Sequence, residues 1–186
     1  MKIKPEVFLN SQKNIVFNKI LITGSDESFI AYVKNHIIED FKKRSFFIDF
    51  SNNFNSKSMG SLFSENKTLF VLSDFPKNND HNLPELNGQS VLVASPNGKK
   101  INTIKSKLAK DKESLVIECY LLNRSSKENT LRGYVESNSL ILSSDVFWYV
   151  VENFDNSYVI FVKQLQMLSL FNKKIDLISD VEKIAF

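Results

Sequence analysis

Apolar residues in this chain fall into two patterns, short continuous runs and stripes at helical spacing, and through much of the sequence the two alternate. "FNKILIT" (17–23) is an apolar run closed by Gly24, after which Ser25 and Asp26 supply a helix start. Over 27–44, Ile30, Val33, Ile37 and Phe41 recur at helical spacing, while Lys34, Glu39, Lys42 and Lys43 sit mainly elsewhere. That pattern predicts a helix packed on a sheet. Residues 46–50 read as a second strand. The polar "SNNFNSKS" then reads as a loop entering a short helix on which Met59, Leu62 and Phe63 share a face. "TLFVLSDF" (68–75) follows as a strand, with 68–72 its buried part. The turn-rich "PKNNDHNLPELNGQS" breaks any long element, and "SVLVASP" from Ser90 is again a buried strand, ended by Pro96. An amphipathic helix over 99–110 buries Ile101, Ile104 and Leu108, and "SLVIECY" (114–120) makes the fifth strand. Continuous apolar strands alternating with helices predict a parallel, five-stranded α/β sheet covered on both faces and joined by right-handed crossovers.

After Leu122 the pattern changes to helices alone, expected at 126–135, 144–153, 156–171 and 179–185. The expected organisation is an α/β domain over 1–123 followed by a small helical domain over 124–186. In the longest of these helices Tyr158, Phe161, Val162, Leu165 and Leu168 lie on one stripe, which reads as core.

Composition adds mainly exclusions. The chain has 186 residues, 42% of them apolar, enough for one full core and a small second domain. Its 24 basic and 21 acidic groups are interspersed, so a net charge of +3 makes no case for nucleic acid. Arginines, which supply bidentate phosphate forks, occur only at Arg44, Arg124 and Arg132. Cys119 stands alone in an apolar run, which leaves no disulfide and no thiolate cluster and implies a buried, inert thiol. The first ten residues lack a signal-peptide core, and no stretch reaches the ~20 apolar residues of a membrane helix, so a cytoplasmic location is expected.

An α/β layer with a helical appendage raises the question of nucleotide hydrolysis. A phosphate-cradling loop needs glycines flanking a Lys-Ser/Thr at the helix start, because amides and lysine must both reach the phosphates. The corresponding loop here, "TGSDESFI", has one glycine and no lysine, and it places Asp26 and Glu27 where positive charge is required. Those two acids, with Asp49 and Asp74 near strand ends, raise a receiver-like phosphoacceptor site as an alternative. No strand-end lysine completes that set, and acids at a helix start ordinarily cap the first amides. His36 and His81 have no carboxylate or cysteine at ligand spacing, and no serine lies in a G-x-S-x-G elbow. The basic stretch 99–112 and the aromatics Phe147, Trp148 and Tyr149 invite a single-strand-binding reading. Adjacent aromatics on one helix point to different sides, however, so core packing is the preferred reading. The residues therefore present no catalytic, cofactor or metal constellation.

The order of these segments over about 17–184 resembles the delta subunit of the bacterial DNA polymerase III clamp loader. The resemblance runs through "KILITGSDESFI", "FIDF", "GSLFSENKTLFVL" and "SVLVASP" before a lysine-bearing helix, and then through "NSYVIFVKQLQMLSLF" and "IDLISDVEKI". It implies a clamp-loader ATPase-like (AAA+-type) α/β domain without a functional P-loop, followed by a helical lid. It further implies a non-catalytic subunit that takes part in DNA replication, needs no cofactor and leaves ATP to other subunits. In that family a Leu-Phe pair on a short helix enters an apolar pocket of the ring-shaped sliding clamp, the beta subunit, and promotes its opening. Leu62 and Phe63 match the pair, and Met59 matches an adjacent apolar position. The family's C-terminal collar domain, which joins the loader subunits, has no counterpart before Phe186, so partnership with those subunits would require a collar to be supplied. Contact with DNA is expected to be indirect or weak, and none is expected with a membrane.

Overall fold

The computed structural model describes residues 1–10, 17–50, 67–73, 90–95, 99–171 and 174–185. The chain divides into two compact units, Met1–Cys119 and Tyr120–Phe186.

In the first unit the elements run β1 (Lys2–Ile3), α1 (Pro5–Asn10), β2 (Lys19–Gly24), α2 (Glu27–Lys43), β3 (Phe47–Asp49), β4 (Thr68–Leu72), β5 (Ser90–Ala94), α3 (Lys99–Leu108) and β6 (Ser114–Cys119). The strands form one sheet in the order β1-β6-β2-β5-β4-β3, and every pairing in it is parallel. The central strands are apolar on both faces because both faces are covered: Ile20, Leu21 and Ile22 of β2 are all fully buried. Leu21, Val91, Val93 and Val116 pack with Ile101, Ile104 and Leu108 of α3. The path from β2 to β3 runs one way along the sheet and that from β5 to β6 the other, so right-handed crossovers put α2 and α3 on opposite faces.

The sheet has six strands where the pattern predicts five. The additional strand, β1, pairs Lys2 with Val116 and Ile3 with Ile117 at the β6 edge. Two residues carry no periodicity, so nothing in their sequence distinguishes them from a leader. What places them is tertiary: the Met1 amine donates to the carbonyls of Asp111 (3.1 Å) and Ser114 (2.6 Å). Lys2 also ion-pairs with Glu118, which Lys105 of α3 reaches at 2.7 Å. Burial opposes ionisation of Glu118, but the hydrogen bonds and charges of Lys105 and Lys2 outweigh it and hold the carboxyl below its ordinary 4.5. A depressed carboxylate stabilises the fold above the unfolded value, and that contribution is lost as pH falls through the folded one. Glu118→Gln is therefore expected to lower stability at neutral pH, with the deficit shrinking below pH 4.5. Urea titrations across that range check this, and a deficit independent of pH would contradict it.

The second unit comprises α4 (Arg124–Asn138), β7 (Ile141–Leu142), α5 (Ser144–Asn153), α6 (Tyr158–Phe171), β8 (Lys174–Ile175) and α7 (Ile178–Ala185). Helices alone are expected here, and the structure corrects that: β7 and β8 form a parallel two-stranded ribbon pairing Ile141 with Lys174 and Leu142 with Ile175. As with β1, strands this short leave no sequence pattern. Helix starts follow local chemistry. The Asn123 side chain accepts from the Ser126 amide at 2.9 Å, and the Ser143 hydroxyl accepts from the Val146 amide at 3.3 Å. Leu131, Val146, Val150, Phe161, Leu165, Leu168 and Val181 form the core of this unit. Among them lies the buried Lys127, whose ammonium donates to the carbonyl of Phe154 at the end of α5 and sits 5.8 Å from the Phe161 ring. Burial pulls its pKa down, with Asp155 acting in the opposite sense.

Candidate functional site

Two places bear on function: the turn between β2 and α2, where a P-loop ATPase would hold phosphate, and the stretch 51–66, which carries the proposed partner-binding residues. At the turn, Gly24 has φ +154° and lies directly against β6, such that a β-carbon there would stand 1.7 Å from the Cys119 carbonyl oxygen. Only glycine fits this approach. The Asp26 amide donates to that same oxygen at 3.1 Å. Its buried carboxylate accepts from the Phe29 amide (3.0 Å) and the Ser28 hydroxyl (2.7 Å). The turn is thus fastened to β6 from one side, and the start of α2 is filled by the chain's own carboxylate. A polyphosphate would need those first-turn amides and would meet a negative charge among them. Cys119 offers no nucleophile either: burial first, then the charges of Asp26 and Glu6, push its thiol up to about 12.

The acids considered for a receiver-like site do not converge. Asp26 is a buried cap and Glu27 is exposed beside it. Asp49 lies on β3, separated from β2 by β5 and β4, a distance of roughly 14 Å at ordinary strand spacing. Asp74 and His81 lie outside the described residues. His36 is exposed on α2, with its ring centroid 6.1 Å from that of Phe8. Among the described residues no cluster of three or more His, Cys, Asp or Glu is arranged to hold a metal.

Of the aromatics of α5, only Phe147 and Tyr149 meet the expectation of core packing; Trp148 is exposed, because on this helix it points away from the cluster that buries Val146 and Val150. Phe147 and Tyr149 pack against the helical core, and the Tyr149 hydroxyl donates to Glu182 at 3.2 Å. Arg132 stacks over Phe147 (4.9 Å) and pairs with Glu128 (2.9 Å), while Arg124 stacks over Trp148 (5.3 Å) and pairs with Glu152 (3.1 Å). Arg44 lies over Phe41 at 4.1 Å and pairs with Asp40 at 3.1 Å. Each of the three arginines thus lies against an aromatic face and beside a carboxylate. The basic helix α3 borders an open groove of about 500 Å³ lined by Asn102, Thr103, Ser106, Lys107 and Lys110.

Met59, Leu62 and Phe63 lie outside the described residues. What the structure supplies is their frame. The β3–β4 pairing is parallel, Phe47 opposite Thr68 and Asp49 opposite Phe70, so 51–66 joins the C-terminal end of β3 to the N-terminal end of β4. Leu69, Val71 and Leu72 of β4 are buried, which makes that strand a fixed anchor for whatever precedes it.

The Bacillus subtilis DNA clamp loader delta protein superposes on 96% of this chain with a TM-score of 0.56, at 12% sequence identity. The two share a fold. That fold is the AAA+-like α/β type that the resemblance implies, with a parallel sheet of six strands in this chain rather than the expected five. This chain spans 61% of the length of the delta protein. A Thermotoga maritima RuvB variant superposes on 91% of the chain at 8% identity and a TM-score of 0.46. No protein-family profile matches the sequence, and no curated protein matches it. Among the described residues no helix is long and apolar enough to cross a membrane.

Proposed function

We propose that this chain is a clamp-loader delta-like subunit that binds the DNA polymerase sliding clamp through Leu62, Phe63 and Met59 and promotes ring opening without hydrolysing nucleotide itself. The observation that carries this reading is the delta-protein fold over nearly the whole chain. The β2–α2 turn supports the non-catalytic part, since Asp26 occupies the helix start that a nucleotide phosphate would need.

The physics of such a role requires no chemistry in this chain. Two large apolar side chains entering a partner's pocket form a hot-spot anchor, each contributing ~1.5–3 kcal/mol of burial. Ring opening is then a population shift: the anchor must bind the opened clamp interface more tightly than the closed one, and by that difference alone it displaces the equilibrium. Other loader subunits would be the partners that handle ATP, acting in a soluble replication assembly.

Two measurements test the reading. The full chain should capture a purified bacterial sliding clamp in a pull-down. Calorimetric titration with Mg-ATP should show no saturable heat. Tight ATP binding with turnover would overturn the proposal in favour of a nucleotide-dependent enzyme, and incorporation of label from acetyl phosphate at an aspartate would favour a receiver-like domain.

A further inference from the structure

The positive charge of the chain is local. The fifteen residues 99–113, which are α3 and the turn after it, carry six lysines against Asp111 and Glu113, while the rest of the chain carries 18 basic and 19 acidic groups. The whole excess of +3 therefore resides in this segment, and a small net charge conceals a basic helix. Ile101, Ile104 and Leu108 turn inward, and Lys105 is committed to Glu118 at 2.7 Å. Of the two acids, Asp111 lies 3.7 Å from Lys19 and accepts from the Ser114 hydroxyl at 2.6 Å.

What remains on the outer face is the groove lined by Asn102, Thr103, Ser106, Lys107 and Lys110, all exposed. Its lining is neutral or positive throughout. Nine basic side chains are ion-paired among the described residues, and neither Lys107 nor Lys110 is one of them. Three residues apart on one helix, these two like charges repel each other until an anion comes between them. The surroundings select the anion. No large apolar side chain is exposed over 101–113, so a protein partner would find no anchor there and a membrane no wedge. The segment also has no aromatic ring on which single-strand bases could stack. A duplex phosphate backbone needs neither, because cations and neutral hydrogen-bonding groups hold it.

We propose that the outer face of α3 is a contact surface for the phosphate backbone of duplex DNA, held through Lys107 and Lys110 without regard to base sequence. With so few charges the contact is weak, with a dissociation constant on the order of 1–100 μM, the non-specific range. This inference does not rest on the clamp reading, since DNA binding is measured with no clamp present.

Fluorescence anisotropy of a labelled duplex of about 20 base pairs, titrated with the full chain at about 50 and about 200 mM salt, tests it. Saturable binding that weakens with salt is expected. Lys107→Gln combined with Lys110→Gln should weaken it roughly tenfold at the lower salt and reduce the salt slope by about 0.9 for each lost phosphate contact. Lys43→Gln combined with Lys163→Gln removes the same charge from exposed sites elsewhere and should leave binding little changed. All four side chains are exposed, so Tm should stay at the parent value in both variants. Absence of binding at the lower salt, an equal loss in the control variant, tighter binding of the corresponding single strand, or equal binding of polyglutamate would each overturn the proposal.

Discussion

Replacing Leu62 and Phe63 together by alanine is expected to abolish retention of the sliding clamp in a pull-down and to weaken the equilibrium complex by about a hundredfold or more. The magnitude follows from removing two large apolar side chains from a partner pocket, a loss of about 3 kcal/mol at minimum, which is roughly two decades in Kd. Circular dichroism and thermal melting should change little. The two readouts separate the competing roles of the pair. A variant that binds the clamp normally would show that the wedge lies elsewhere, and one that unfolds would show that the pair belongs to the core. Met59→Ala, at the neighbouring position, should give a smaller loss of the same kind.

The second large effect belongs to the fold itself. Gly24→Ala is expected to unfold the first unit or to cost it about 4 kcal/mol, a large part of the 5–15 kcal/mol available to an ordinary domain. Two penalties combine. The backbone at φ +154° is one that a side chain rarely adopts, and the new β-carbon would stand 1.7 Å from a backbone carbonyl that cannot move without disturbing β6. Gly133→Ala is the control: that glycine sits within α4 with nothing within 4 Å of an added β-carbon, so the substitution should stabilise by about 0.5–1 kcal/mol. Urea denaturation of the two variants beside the parent chain decides the matter, and equal stabilities would refute the account of the turn.

Much of the architecture could be read from periodicity. The apolar runs at Ile20–Ile22, Leu69–Leu72, Val91–Val93 and Leu115–Ile117 are buried central strands, and the stripe through Ile30, Val33, Ile37 and Phe41 is the inner face of α2. These signals are strong because each strand is covered on both faces and each helix on one, so burial writes itself directly into residue type. The capping role of Asp26 was legible for a similar reason: a helix start needs a local acceptor whatever the rest of the fold does. The missing phosphate lysine in "TGSDESFI" was equally plain from the residues.

What could not be read were features in which one residue's meaning depends on a distant partner. β1, β7 and β8 are two-residue strands, too short for any pattern, and exist because β6, or each other, offers unpaired backbone groups. Gly24 reads as a simple turn glycine until the Cys119 carbonyl is found pressed against it. The aromatics of α5 read as core, but only the fold reveals that Arg124 and Arg132 lie over them and are neutralised by Glu152 and Glu128. Local pattern, then, was enough for the existence, order and buried faces of the principal elements, because burial and helix starts are chosen residue by residue. Tertiary structure alone decided the sixth strand and the closed turn at the start of α2, because each depends on which distant surfaces the folded chain brings together.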